Sequence, residues 1–464
     1  MSAAAALWRR LRGKRLRASG PAPQRLLVAS FGGLIAAGTL LLLHPAATPA
    51  DRPIGAVDAL FTATSATCVT GLVVRDTGSE FTLFGQLVIL ALIQLGGIGI
   101  MTLSLVILRL FGGRFSPISR AVLTQTLAGA GFWEDFWPLL RLVVRFTLSV
   151  EALGAAALFV RWWPELGAAR AAYAAVFHAI SAFSNAGFSI FPDSLVAWRG
   201  DAAVNLVIAS LVVLGGIGYL TVYEVLAWLR RGRPLSLHSK LALSASAILI
   251  LAGAALIWLL EWRFSFADFS SGERFWASLF QSVTSRTAGF NTVDIGGLAP
   301  ATLAVIMLLM FIGGSPGSCA GGVKTTTFGV LVVAAWTRLR RRTHVNLFRR
   351  TLSPRPLADA LSISLGGLAA VLSGVFLLLT LQQITAGVAQ SHALFVEYLF
   401  ETVSALGTVG LSTGATMTLA PASRLLVTGL MFLGRLGPLT VAAALARRDE
   451  LTDWRYPEEE VMVG

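Results

Sequence analysis

Long apolar segments recur along the whole chain and define its class. A helix needs about 20 predominantly apolar residues to cross the hydrocarbon core of a bilayer. Segments of this kind occupy 26–43, 87–108, 206–229, 241–260, 303–312 together with 325–336, 361–381 and 425–445. We therefore predict an all-α membrane protein whose apolar segments pack into one bundle within the lipid bilayer.

Four shorter segments share the pattern of a helix that breaks at a glycine. They begin at phenylalanine, continue with small and hydroxyl-bearing residues, and cover 61–71, 177–187, 280–289 and 400–410. The third is one residue shorter than the others. A second glycine cluster follows each at a similar distance, at 96–99, 215–218, 313–317 and 434–437. This spacing indicates four tandem repeats.

Each repeat is predicted to contain an outer helix M1, a short pore helix, a glycine loop and an inner helix M2. The pore helices are expected at 56–67, 171–184, 274–285 and 393–406, which are too short to span a bilayer. They must be re-entrant, and irregular backbone at membrane depth is tolerated only where it lines a water-filled cavity or is buried in protein. We therefore predict eight transmembrane helices, with four re-entrant filter loops around one central pore.

The predicted boundaries divide the chain into six parts. These are a basic cytoplasmic N-terminus at 1–22, repeat 1 at 23–112, a linker and repeat 2 at 113–232, repeat 3 at 233–345, repeat 4 at 346–448, and a cytoplasmic C-terminal tail at 449–464.

The distribution of charge predicts the orientation of the chain in the membrane. The net charge is +13, and the basic residues cluster at 9–17, 230–240, 338–350 and 447–448. Short loops rich in Lys and Arg stay in the cytoplasm, so both termini and the basic linkers are expected to face inward. Because topology accounts for these charges, we predict no nucleic-acid partner. A cleavable secretory signal is the alternative for the first apolar segment, but its length and its place as the outer helix of repeat 1 favour a retained span.

The four glycine loops are the candidate ion site. A dehydrated cation needs a ring of backbone carbonyls, and these converge on one axis only in conformations open mainly to glycine. The predicted filter residues are Val69, Thr70, Gly71, Asn185, Ala186, Gly187, Thr287, Ala288, Gly289, Thr408, Val409 and Gly410. Residues 408–410 repeat the first three of the Thr-Val-Gly-Tyr-Gly filter of potassium channels. The alternative is that these glycines only permit close helix packing, which fits a single position better than four in register.

The third inner segment contains too many helix breakers to continue as a helix. We expect it to form a gate loop in the cavity below the filter. The gate residues are Gly313, Gly314, Ser315, Gly317, Ser318, Cys319, Gly321, Gly322 and Lys324. The Lys324 ammonium is expected to repel permeating ions or pair with carbonyl groups, and snorkelling toward the cytoplasmic surface is the alternative.

Arg435 is a costly charge in the middle of the fourth inner helix. One hypothesis makes it a fixed pore charge just below the filter. The other makes it half of a structural ion pair with Glu151, Glu224 or Glu401.

The five histidines are scattered without metal-ligand spacing, and no nucleophile–base pair is present, so the sequence does not favour an enzyme.

These motifs resemble the Trk/Ktr/HKT superfamily of potassium and sodium transporters, and most closely its Ktr-type membrane subunit. The resemblance extends from the first span to Arg448 and is most specific at 67–72, 183–188, 285–291, 317–324 and 431–438. At Gly71 the chain resembles the potassium-selective members of the superfamily, because members with serine at this position favour sodium. Cys319 departs from the threonine that is common in the family. The extra helix pair usual in the Trk-type branch has no room before repeat 1.

The resemblance implies the ion-translocating subunit of a potassium uptake system in the bacterial inner (plasma) membrane. It implies K⁺ at the filter glycines and no covalently bound cofactor, and it leaves a requirement for Na⁺ open. It also implies a homodimer on a cytoplasmic ring of nucleotide-binding regulatory subunits that touches the basic linkers and the tail. This chain carries no nucleotide-binding fingerprint, so any regulation by a nucleotide would come from such a partner. A Trk-type subunit and an alternating-access carrier are the alternatives, although carriers more often use inverted repeats.

Overall fold

The computed structural model describes residues 23–110, 136–386 and 394–437, which are predominantly helical. The helices are α1 (Pro23–Leu42), α2 (Ala56–Thr67), α3 (Leu83–Leu110), α4 (Phe136–Leu166), α5 (Ala168–Phe183), α6 (Ala202–Gly216), α7 (Tyr219–Arg231), α8 (Leu237–Glu261), α9 (Ser271–Thr284), α10 (Pro300–Phe311), α11 (Thr325–Leu339), α12 (Pro354–Ala386), α13 (Phe395–Gly407), α14 (Ala415–Thr418) and α15 (Pro421–Leu436). Strands β1 (Asn346–Leu347) and β2 (Arg350–Thr351) form an antiparallel hairpin after α11. The predicted N-terminus 1–22, the tail 449–464 and most of the linker that opens repeat 2 lie outside the described residues.

One packing arrangement occurs four times along the chain. In each case a first helix packs on a short helix and on a third helix, and the last two also pack on each other. The groups are α1 with α2 and α3, α4 with α5 and α6, α8 with α9 and α10, and α12 with α13 and α15. Each short helix therefore lies between a preceding and a following helix of its own group.

The lengths of the apolar helices do not confirm eight spans. Among the described residues, three helical stretches are long and apolar enough to cross a membrane: Val143–Leu166, Leu237–Glu261 and Pro356–Ile384. Helices α6 and α7 together make a fourth candidate, bent by 103° at its break. Four further apolar helices are shorter, at Leu27–Leu42, Leu83–Ile98, Pro300–Phe311 and Thr325–Leu339.

The short helices lie close to their predicted positions, and local capping explains one difference. Helix α2 has the predicted bounds, whereas α9 begins three residues before its predicted start. Ser270 and Glu273 form a capping box there, which satisfies backbone N–H groups that the first helical turn leaves free. The Ser270 backbone N–H and the Arg199 guanidinium hold the pKa of Glu273 below its ordinary value.

The core lies around the loops that follow the short helices, and the outer faces are apolar. The first residue of each glycine-terminated segment is buried: Phe61, Phe177 and Phe400 are 0% exposed and Phe280 is 2% exposed. By contrast, Leu259 on α8 is 73% exposed and Phe376 on α12 is 68% exposed. Large exposed apolar residues mark a surface that contacts another apolar phase, and lipid fits the length of these helices.

The second glycine cluster allows inner helices to touch the ends of the short helices. A β-carbon on Gly96, Gly215 or Gly434 would collide with the backbone carbonyl oxygen of Thr67, Phe183 or Leu406, respectively. Each of those carbonyls lies at or next to the end of a short helix. The third group differs, because a β-carbon on Gly313 would collide with the Gly321 carbonyl of its own loop. Three glycines thus serve packing, and the fourth serves a folded loop.

Gly434→Ala should therefore destabilise the protein by about 2 kcal/mol, a typical cost of overpacking a closely packed site. Gly429 on the same helix provides a matched control, because a β-carbon there would meet nothing within 4 Å. Gly429→Ala should be neutral or stabilising by up to about 1 kcal/mol, since alanine favours helix over glycine. Thermal unfolding in detergent, followed by tryptophan fluorescence, measures both. Equal stability of the two variants would contradict close packing at Gly434.

Candidate functional site

The four glycine loops share one unusual backbone conformation. In each loop, a non-glycine residue with positive φ lies two positions before a glycine that also has positive φ. The pairs are Val69 (55°) and Gly71 (92°), Asn185 (57°) and Gly187 (70°), Thr287 (74°) and Gly289 (80°), and Thr408 (51°) and Gly410 (91°). Positive φ in a β-branched residue is a strained outlier that costs roughly 1–3 kcal/mol. The same strain at three β-branched positions shows that the surrounding structure holds these loops in place.

The four loops close into a ring. A β-carbon on Gly71 would collide with the Ala186 carbonyl oxygen, and one on Gly187 would lie 2.8 Å from the Ala288 oxygen. A β-carbon on Gly289 would lie 2.5 Å from the Val409 oxygen, and one on Gly410 would collide with the Thr70 oxygen. Each loop therefore meets the carbonyl of the next loop, and the fourth meets the first. No side chain fits at any of the four glycines.

A hydroxyl on each short helix fixes the loop that follows it. Ser65 Oγ accepts a hydrogen bond from the Gly71 N–H (3.1 Å), and Ser404 Oγ accepts one from the Gly410 N–H (3.1 Å). In the other two loops a hydroxyl donates to the carbonyl after the glycine: Ser181 to Phe188 (2.8 Å) and Thr284 to Phe290 (2.6 Å). Three of these hydroxyls lie six residues before the glycine and Thr284 lies five before, so the shorter third segment keeps the same contact.

Several polar groups at the ring have no protein partner among the described residues. The side-chain hydroxyls of Thr70, Thr287 and Thr408 are buried and make no hydrogen bond within that part of the chain. A buried hydroxyl without a partner is costly, and its lone pairs can accept a cation. The short helices also end at these loops, so the partially negative C-termini of their dipoles lie at the ring. Both features favour a positively charged occupant.

A cavity of about 460 Å³ opens onto the ring. Its lining includes all four ring glycines, Gly71, Gly187, Gly289 and Gly410. Three carboxylate residues also line it, namely Asp76, Asp193 and Asp294. Negative charge at the mouth of a narrow site raises the local concentration of cations.

The predicted break in the third inner segment is present. Helix α10 ends at Phe311, helix α11 begins at Thr325, and the chain between them is non-helical. The loop lies against the fourth ring segment, because a β-carbon on Gly321 would collide with the Thr408 side chain. Residues Gly313–Lys324 therefore lie next to the ring; we call them the gate loop.

Backbone hydrogen bonds attach the gate loop to the bend between α6 and α7. Ser315 N–H donates to the Gly216 carbonyl (2.9 Å), and Cys319 N–H donates to the Gly215 carbonyl (3.2 Å). In return, the Tyr219 N–H donates to the Gly317 carbonyl (3.1 Å). The 103° bend frees α6 carbonyls from helical bonding, and the loop satisfies them. The Cys319 thiol, whose partner the sequence left open, donates to the Gly97 carbonyl at 3.5 Å.

Cationic side chains hold the gate loop by its carbonyls. Lys324 Nζ donates to the Ala320 carbonyl at 2.6 Å, so the ammonium bonds within the loop and does not snorkel. Arg435 donates to the carbonyls of Cys319 and Gly96, the latter at 2.7 Å. The predicted ion pairs of Arg435 are not observed in the described part of the chain. The three candidate carboxylates have other donors, because Glu151 accepts from Gln94, Glu224 from Ser236, and Glu401 from residues 412, 413 and 416.

A third cation was missed by sequence reasoning. Arg286 is 8% exposed and precedes Thr287 of the third ring segment. Its guanidinium donates to the backbone and side-chain oxygens of Ser246 (3.3 and 3.1 Å) and to the Gly313 carbonyl (3.4 Å). It thereby links the ring to the start of the gate loop. The signal was in the sequence, since Arg286 is a charge inside an otherwise uncharged motif.

Comparison with known proteins gives a consistent result. The chain matches the TrkH family model, described as cation transport protein, over residues 17–452. It is 38% identical over 444 residues to the Ktr system potassium uptake protein B of Bacillus subtilis, covering 95% of this chain and 97% of that protein. It is 39% identical over 455 residues to the protein of the same name in Vibrio alginolyticus, covering 97% of each. The potassium/sodium uptake protein NtpJ of Enterococcus hirae is 34% identical over 450 residues, covering 95% of this chain and 97% of that protein.

A solved structure shares the fold. The crystal structure of the potassium transporter TrkH from Vibrio parahaemolyticus superposes with a TM-score of 0.70 at 20% identity, over 93% of this chain and 86% of that one. At this identity the similarity concerns the fold alone. The family match covers nearly the whole chain, and two relatives are more than 35% identical over almost their full length. The chain belongs to the TrkH family of cation transport proteins.

Proposed function

We propose that this chain is the ion-conducting subunit of a bacterial potassium uptake system, and that K⁺ passes through the ring of four loops. The observation that carries the proposal is the closed ring itself, in which each glycine meets the carbonyl of the next loop. Such a ring can replace the water shell of a dehydrated cation. The names of the relatives, which include potassium uptake proteins, support the choice of ion.

The ring also supports selection of potassium over sodium. Gly71 occupies the first loop, where the resemblance associates glycine with potassium and serine with sodium. A serine there would add a β-carbon at the position of the Ala186 carbonyl and would displace the ring. Because the relative from Enterococcus is named a potassium/sodium uptake protein, sodium remains the ion against which selectivity is to be measured.

The proposed architecture is four tandem repeats with eight transmembrane segments around one pore. The four groups of packed helices support it, as does the ring order, which follows the chain order. In this arrangement the third inner segment spans the membrane as α10, the gate loop and α11 in succession. The second inner segment crosses as α6 and then turns into α7.

The gate loop is proposed to block the pore below the ring. Its contact with Thr408 places it beside the ring, and its backbone bonds to α6 and α7 fix it there. Arg435 is proposed as a pore charge that also holds the loop, since its guanidinium lies between the Cys319 and Gly96 carbonyls. Opening would require the loop to leave these partners together.

The proposed assembly is a homodimer in the inner membrane, with both termini in the cytoplasm. A cytoplasmic nucleotide-binding subunit is proposed to regulate it. The relatives are named as proteins of a Ktr system, which supports a multi-component assembly. The chain itself carries no nucleotide-binding fingerprint, so nucleotide control would enter through that partner.

Gly71→Ser should lower the potassium-to-sodium permeability ratio, because the added side chain distorts the carbonyl ring. Gly55→Ser is the matched control. Gly55 caps α2 with a φ of −77°, has open space at its β-carbon, and should tolerate serine as an N-cap. The permeability ratio is measured from ion uptake into proteoliposomes. An unchanged ratio in folded Gly71→Ser protein would remove Gly71 from the filter.

Deleting Ser315–Ala320 should raise potassium flux without changing the permeability ratio, because the loop obstructs the path but does not form the ring. The ends left by this deletion lie close together, since a β-carbon on Gly313 would touch the Gly321 carbonyl. The deletion can therefore close without moving α10 or α11. Lower flux in correctly inserted protein would refute the gate assignment.

Arg435→Gln should raise potassium flux in the full-length chain, because it removes a charge beside a cation path and a donor to the gate loop. Combining it with the loop deletion separates the two effects. If Arg435 acts by holding the loop, the combined variant should conduct like the deletion alone. If it also acts as a pore charge, flux should rise further. Unchanged flux in folded Arg435→Gln protein would contradict both roles.

A further inference from the structure

The C-terminal end of α11 and the hairpin that follows it carry a dense group of arginines. These are Arg338, Arg340, Arg341, Arg342, Arg349 and Arg350, and all six are exposed. No Asp or Glu occurs in the sequence between Asp294 and Asp359. Within the described ranges none of the six forms an ion pair with a carboxylate. This basic cluster therefore presents its full charge to the surroundings.

The fold brings the two halves of the cluster together. Strands β1 and β2 pair Asn346 with Thr351 and Leu347 with Arg350, so the chain turns back after two residues. Those two residues, Phe348 and Arg349, have φ values of 45° and 62°, a conformation that usually requires Asn or Gly. The hairpin contacts α11. Its strained tip leaves an apolar ring, 45% exposed at Phe348, beside arginines.

A stripe of exposed apolar residues on α11 leads directly into the cluster. Val332, Trp336 and Leu339 are 48%, 56% and 78% exposed, and their spacing of three and four residues places them on one helix face. Arg340 continues that face, with its guanidinium 4.7 Å from the centre of the Trp336 ring. Tryptophan concentrates where a membrane helix meets the headgroup region. The stripe therefore suits a lipid-facing surface, and Arg340 follows it where headgroups are expected.

We propose that the basic cluster and Trp336 form a binding site for anionic phospholipid headgroups on the cytoplasmic surface of the membrane. Four to eight Lys or Arg residues immediately cytoplasmic of a membrane helix attract anionic lipids. The planar guanidinium matches a phosphate group with two parallel donors. A soluble acidic protein is disfavoured as the occupant, because the apolar stripe that ends in Arg340 is continuous with the lipid-facing side of α11.

Helix α11 connects the basic cluster to the gate loop. The effect of lipid on gating, argued next, rests on the proposed function. Helix α11 begins at Thr325, directly after the loop, and extends about 22 Å to the cluster at a rise of 1.5 Å per residue. Thr325 N–H donates to the Gly314 carbonyl at 3.0 Å, and the Thr325 and Ser315 hydroxyls lie 2.9 Å apart. Headgroups that hold the far end of α11 thus stabilise the loop in its position beside the ring.

The test compares the variant Arg340→Gln, Arg341→Gln, Arg342→Gln with a charge-matched control. The control removes three exposed arginines scattered over other segments, Arg52→Gln, Arg170→Gln and Arg263→Gln. Native mass spectrometry counts the phosphatidylglycerol retained per chain from a mixture with phosphatidylcholine. The cluster variant should bind phosphatidylglycerol roughly a hundredfold more weakly than wild type, as expected when three juxtamembrane cations are removed. The control should bind as wild type does.

Rubidium uptake into vesicles tests the connection to the gate. Wild type and control should conduct more in pure phosphatidylcholine than in vesicles that also contain phosphatidylglycerol, whereas the cluster variant should conduct at the higher rate in both.

Equal lipid retention by cluster variant and control overturns the lipid site and leaves the arginines to a protein partner. Retention without a lipid effect on uptake overturns the connection to the gate. Absence of any selective uptake by wild type overturns the proposed function instead, since lipid retention is measured without transport.

Discussion

The structure depends on backbone N–H and C=O groups that lie outside regular helices at membrane depth and need hydrogen-bond partners there. Four loops leave helical geometry inside the bundle, where lipid cannot replace the lost hydrogen bonds. Each loop returns an N–H to its own short helix, as Thr70 does to the Ser65 carbonyl at 2.8 Å, and each is fixed by a hydroxyl. What remains is a set of carbonyls turned toward neighbouring loops. The polarity that makes such backbone costly in lipid is the property that a dehydrated cation requires.

The backbone of the gate loop also needs hydrogen-bond partners inside the bundle, but it finds them differently. Three inner helices meet the end of a short helix through a glycine, whereas the third inner segment folds into a loop and satisfies its backbone on the bend between α6 and α7. Three of its carbonyls accept from Lys324, Arg435 and Arg286. These cations have carbonyl partners and no carboxylate within ion-pair distance in the described ranges. Positive charge is therefore held next to the loop without being neutralised, beside a path proposed for cations.

Helix α11 connects this interior to the basic cluster. Its first turn bonds the gate loop, its buried side includes Val330 and Ala334, and its exposed stripe ends in the basic cluster. If one end of this helix lies at the pore and the other among headgroups, as proposed, the state of the loop would depend on what binds outside the pore. The basic residues from which the orientation of the chain is predicted are, in this proposal, also the residues that serve regulation.

Sequence alone determined the class, the positions of the loops and the break in the third inner segment. These follow from apolar length, glycine spacing and helix-breaking residues, which act locally and can be read along one chain. Helix α9 begins three residues before its predicted start, because the capping box of Ser270 and Glu273 stabilises an earlier first turn. The eight-span count stays a prediction, since several inner segments are bent or interrupted and do not form single long helices.

Only the tertiary structure decided how the loops meet and what the buried charges contact. The ring closes because Gly410 meets the Thr70 carbonyl, a contact between residues at opposite ends of the chain. The sequence offered three carboxylates as partners for Arg435, and the structure places none of them beside it. A guanidinium is satisfied by any nearby oxygen, and the sequence does not show which backbone carbonyls a distant loop will bring within reach. For that reason the sequence identified costly residues, and only the fold showed what stabilises them.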